Sequence, residues 1–161
     1  MATIIGPSKK SSAGDLRSDA WAALGIVGLL FLVVGVTDLV LAWVPPRFGN
    51  ADWEFGTVTA MFNNLPVPAM GVGLALAGST GADSLGGRRV AAIVAALLAT
   101  WSMVAAVLLG LTLPLALGAV TEAGPRQALV SSSVKTCVQI IAYTAFFVWA
   151  VRFALRSRSV G

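Results

Sequence analysis

Two ionisable side chains, Asp38 and Lys135, sit inside long apolar runs. A charge near the centre of a bilayer costs about 2.5–3.5 kcal/mol on insertion scales, so each needs something to offset that cost. Asp38 lies six residues before Val44, and Lys135 lies six residues after Leu129. Six residues are about 9 Å along a helix, which places the two charges at matching depths from one membrane face. Ser131, Lys135 and Gln139 recur at intervals of four, one polar stripe on a helix. Three roles follow for the two charges. They pair across two helices as a structural tie, Lys135 snorkels to headgroups, or both belong to an ion or proton path. A transport path calls for a carboxylate near the midplane, and Asp38 is closer to the surface than that.

The remaining residues narrow the chemistry further. The chain has no histidine and one cysteine, Cys137. A serine triad of the usual kind therefore has no base, haem or chlorophyll has no histidine ligand, and zinc sites built from cysteine and histidine sets are excluded. No nucleophile–base pair is visible, so the chain is expected to be a non-enzyme with no metal or cofactor of its own. The acids Asp52, Glu54 and Glu122 read as solvated or capping groups. The stretch GSTGADSLGGRR at 78–89 is glycine-rich. It lacks the G-K-[ST] ending of a phosphate loop, and it is expected to be a flexible turn.

These residues must be held by helices in a membrane. Of 161 residues, 57% are hydrophobic and 11% charged, against about 45–50% and about 25% in soluble domains. A pI near 10.0 comes from basic residues at segment ends, where headgroups and topology account for them better than nucleic acid does. Four spans are expected, at about 21–44, 66–80, 89–113 and 129–152, the third extending to Val120 if Pro114 does not stop it, with polar tails at 1–20 and 153–161. Pro45 and Pro46 stop the first span. Pro66 and Pro68 suit a helix start. Between them, Asp52 is a plausible N-cap for a short helix over about 53–63 lying on the membrane surface. The competing possibility is a second span that starts earlier, which would draw Asn63 and Asn64 into the membrane in need of partners. The expected fold class is thus an all-α integral membrane four-helix bundle with a short interfacial helix after the first span.

Small residues recur at helix-packing intervals: Gly28 and Gly35, Gly71 and Gly78, Ala92 and Ala96. Such spacing lets backbones approach closely. Trp21, Trp43, Trp53 and Trp149 fall where interfacial anchors belong. Trp101 falls mid-span, facing the core, a partner subunit, lipid, a pigment or a quinone.

The run FGNADWEFGTVTAMFNNLPVPAMGVGLAL resembles a pattern in HpsJ-like bacterial four-helix membrane proteins, in which a D/E-W-x-F-G segment leads into a proline-containing second span. The resemblance covers about residues 20–80 and rests on Trp53, Phe55 and Gly56. It implies the four-helix fold and a link to polysaccharide or exosortase systems, and it implies no catalytic residues.

Three functions stay open. The first is a non-catalytic accessory subunit of a larger inner-membrane complex, such as a respiratory or photosynthetic assembly. Its neighbours would be other membrane subunits and the bilayer, with any lipid, quinone or pigment held by those partners. The second is a small ion-coupled transporter or channel using Asp38 and Lys135. The third is a membrane helper of envelope polysaccharide export. A bacterial cytoplasmic membrane is the expected location. With the N-terminus inside, Lys9, Lys10, Arg17, Arg88, Arg89, Arg152, Arg156 and Arg158 share the inner side, against Arg47 and Arg126 outside, an excess in the positive-inside sense. Reporter fusions after Asn50, Ser84, Glu122 and Gly161 should read outside, inside, outside and inside. An outside signal at Ser84 or Gly161 would overturn the topology.

Overall fold

The heptad is the organising period of this chain. Buried positions on the third long apolar segment fall at Arg88, Ala91, Ala95, Leu98, Ser102, Ala105, Leu109, Thr112 and Ala116, alternating steps of three and four. The last segment repeats this at Ser133, Thr136, Phe147, Ala150 and Ala154, with Ile140 and Tyr143 partly buried between them. A 3.5-residue repeat keeps one seam facing its partner when helices wind round each other left-handedly. The computed structural model, which describes residues 12–156, shows the helices this pattern calls for. They are α1 (Ser12–Leu41), α2 (Ala51–Asn64), α3 (Pro66–Gly81), α4 (Leu85–Ala119) and α5 (Ala123–Arg156). No strand occurs among the described residues, so the fold is all-α. Four stretches are long and apolar enough to cross a membrane: Leu16–Leu41, Asp52–Gly81, Leu85–Ala119 and Ala123–Arg156.

The second of these stretches departs from the expected surface helix. A helix does form over the expected residues, capped by Asn50 rather than Asp52: the Asn50 side chain accepts from Trp53 N at 3.0 Å. One side of it is packed into the bundle. Val58, Met61, Phe62 and Leu65 are wholly buried, and α2 packs against α4 and α5. Leu65 between α2 and α3 keeps right-handed helical angles, φ −58° and ψ −26°. Its N–H donates to Met61 O and its carbonyl accepts from Ala69 N, both at 3.0 Å. Pro66 and Pro68 interrupt only the helix bonds they cannot donate. The second stretch long and apolar enough to span therefore begins at Asp52, and Asn63 and Asn64 fall within it.

The other helices reach beyond most of their expected limits, while α1 stops three residues short of Val44. α1 starts at Ser12 and ends at Leu41, α4 runs through Pro114 to Ala119, and α5 begins at Ala123. At 35 residues, α4 is about 52 Å long. The α3–α4 connection is a tight corner rather than a flexible loop. Asp83 takes φ +50°, the Ser84 hydroxyl caps α4 by accepting from Gly87 N at 3.2 Å, and buried Arg88 donates to Asp83 at 2.6 Å. Lys9, Lys10, Arg158 and the outer parts of both polar tails lie outside the described residues.

α1 packs mainly on α3, through backbone. A Cβ on Gly71 would stand 2.8 Å from Leu32 N and 2.9 Å from Gly28 O. One on Gly35 would stand 2.7 Å from Pro68 N, and one on Gly78 would strike the backbone at Gly25. On α4 the small-residue seam is Ala91, Ala95, Ser102 and Ala105, one position away from the expected Ala92 and Ala96. Ala92 is half-buried and Ala96 is exposed. The heptad started at Arg88 selects the former set.

Gly28→Val should cost about 1–3 kcal/mol, as overpacking of a tight interface does. Gly110→Val, with open space around its Cβ position, should change stability by no more than about 0.5 kcal/mol. Thermal unfolding in detergent distinguishes the two, and equal effects would contradict a backbone-tight α1–α3 seam.

Candidate intramembrane polar site

Continuity of α2 with α3 brings a polar side chain to Lys135. The Lys135 Nζ donates to Asn63 Oδ1 at 3.0 Å, across 72 residues of sequence. Asn63 thereby gains the partner that its place in a membrane stretch requires. Asp38 is not part of this contact. It is exposed on α1, and among the described residues the ion pair present is Arg88–Asp83. α1 reaches α3 and, more lightly, α2, while α5 packs on α4, α3 and α2. The expected Asp38–Lys135 tie between the first and last spans therefore does not form: α3 stands where that contact would have been.

The expected stripe on α5 divides. Ser131 is exposed and Gln139 is half-buried, with Gln139 Oε1 enclosed and unpartnered. The hydroxyls that face inward are Ser133 and Thr136, which donate to the carbonyls of Leu129 and Ser132 at 2.7 and 2.9 Å. Their heptad spacing was the available signal. Unpartnered hydroxyl oxygens of Thr59, Ser102 and Thr144 are buried on α2, α4 and α5. Helix counting from the α3–α4 and α4–α5 corners puts Ser102 near the level of Asn63 and Gln139. One level of the bundle thus has polar capacity on three helices, beside the Trp43–Trp101 contact.

Below the Lys135–Asn63 bond, α3 and α5 separate. A groove of about 570 Å³ opens between them, lined by Pro66, Met70 and Leu74 on one side and Ala142, Tyr143 and Phe146 on the other. Between the end of α1 and α4, an apolar cleft of about 630 Å³ is walled by Trp43, Phe48 and Trp101. Trp101, mid-span in α4, meets Trp43 edge to face at 6.2 Å. Trp43 meets Trp53 at 5.9 Å, and Trp53 meets Phe48 at 5.6 Å. Three of the sequence's tryptophans thus form one aromatic column, worth about 0.5–1.5 kcal/mol per pair beyond area burial. Trp21 lies under Gly81 on the α3 side. Trp149 stacks on Phe153.

Four apolar helices long enough to span, with a polar contact between the second and the last, define a multi-pass helical membrane protein. The model of the family described as HpsJ-like protein matches residues 19–135, and the chain belongs to that family. No curated protein and no solved structure matches it.

A double-mutant cycle of Asn63→Leu and Lys135→Met should give a coupling of about 0.6 kcal/mol, the average for polar pairs in membranes, and no more than about 1.7 kcal/mol. The cycle of Asp38→Asn with Lys135→Met should be additive to within about 0.5 kcal/mol. Coupling in the second cycle and none in the first would reverse the assignment.

Proposed function

We propose that the chain is a non-catalytic accessory subunit of a larger bacterial inner-membrane assembly, with both termini cytoplasmic. The observation that carries this reading is Asp38. Its carboxylate sits on an outward flank of α1 with Phe31, Val34 and Leu41, all exposed. Nothing in this chain is bonded to it among the described residues, the nearby Thr37 hydroxyl donating instead to Val33 O at 2.7 Å. A carboxylate on a membrane-facing apolar surface needs a donor from elsewhere, and a neighbouring subunit supplies one.

Charge distribution supports the orientation. Arg17, Arg88, Arg89, Arg152 and Arg156 gather at one end of the bundle, and Arg47 and Arg126 at the other, so the first end is read as cytoplasmic. Membership of the HpsJ-like family favours an envelope polysaccharide assembly as the host to test first.

A photo-cross-linking residue at Val34, activated in native membranes, should give an adduct to a second protein. Asp38→Asn should lower the yield by roughly 5–30-fold, the factor carried by an interaction of one to two kcal/mol. Adducts to lipid alone, unchanged by Asp38→Asn, would contradict the subunit reading.

A further inference from the structure

Lys135 and the groove beneath it share one face. On α5, Lys135, Ala142 and Phe146 are spaced i, i+7, i+11, and on α3 and the end of α2, Asn63, Pro66, Met70 and Leu74 are spaced i, i+3, i+7, i+11. Both series run down a single side of their helices. The Lys135–Asn63 bond therefore closes the end of the groove that the apolar residues line. The groove is about 12 Å long from Pro66 to Leu74.

We infer that this groove is a binding site for an acidic glycerophospholipid, with the phosphate held by Lys135 and Asn63 and one acyl chain lying between α3 and α5. Three features select that chemistry. The ammonium has three donors, of which one is used on Asn63, and no carboxylate pairs with it among the described residues. The Asn63 side chain retains its amide N–H donors beside the same point. The walls below are aliphatic and aromatic, and the groove opens outward to the membrane, where a chain can enter sideways. A cation at the head of an apolar slot complements an amphiphile with a negative head. A zwitterionic lipid brings the same phosphate together with a cation of its own beside Lys135, so a lipid of net negative charge complements the ammonium better, and an apolar helix from a second copy would bury it. The site does not depend on the proposed subunit role, since Asp38 lies on another helix.

The test is native mass spectrometry of the full-length protein with phosphatidylglycerol and phosphatidylcholine of identical chains. Wild type should retain the former preferentially. Lys135→Met should cut that preference about fivefold, the factor of roughly 1 kcal/mol that one basic residue contributes beside an acidic headgroup, and Lys135→Arg should keep it. Gly73→Phe, which fills the groove facing Phe146, should reduce retention of both lipids. If that variant fails to fold, the Met and Arg variants decide alone. Equal retention of the two lipids by wild type would overturn the inference. So would an undiminished preference in Lys135→Met, or a dimer that occupies the groove in place of lipid.

Discussion

Backbone contact between α1 and α3 is the constraint on which the rest of this molecule depends. In lipid there is no hydrophobic gain from bringing two apolar helices together, so association rests on close packing and on polar contacts. Gly28, Gly35, Gly71 and Gly78 remove the side chains that would hold the two backbones apart. The consequence is a narrow interface. Gly28, Leu32, Gly35 and Leu39 are the buried face of α1, Trp21, Leu24 and Gly25 are half-buried, and most of its remaining surface is exposed. α1 is therefore an appendage of α3 rather than a stave closing a four-helix barrel. Clefts open on both sides of the α1–α3 unit, one toward α4 and one between α3 and α5.

That arrangement decides the fate of the two intramembrane charges. Equal depth is not enough for Asp38 and Lys135 to meet, because α3 separates their helices. Lys135 finds Asn63 instead, made available by the continuous path of α2 into α3. A neutral acceptor offsets less of the cost of a buried cation than a carboxylate does. Lys135 thus keeps capacity for an anion, and Asp38 keeps capacity for a donor. The two residues lie on separate helices, α1 and α5, with α3 between them.

Much of the fold was legible in the sequence. The long apolar runs, the Pro45-Pro46 stop and the sparse charge were enough for four all-α spans. The glycines of α1 and α3 were legible as packing residues because four- and seven-residue spacing has one geometric meaning on a helix. The limits of the helices were less so: Pro114 and Pro66 read as boundaries, yet the first sits on an exposed side of α4, and the second follows a residue that stays helical. The small face of α4 was misplaced by one position, since Ala is abundant on several sides of that helix and only the heptad from Arg88 separates them. Pairing of Lys135 was not legible. It depends on which helices are neighbours, a property of the whole bundle that depth along one helix does not encode.

Disulfide trapping in native membranes, in a Cys137→Ser background, tests this arrangement most directly. Leu32 and Ala75 flank the close contact of Gly28 with Gly71, where a Gly28 Cβ would strike Ala75 N and a Gly71 Cβ would stand 2.8 Å from Leu32 N, so cysteines placed at those two positions should cross-link rapidly on mild oxidation. Cysteines replacing Asp38 and Lys135 should not. A fast cross-link between positions 38 and 135, with none between 32 and 75, would mean that the first span closes onto the last and that the open, glycine-seamed architecture is wrong.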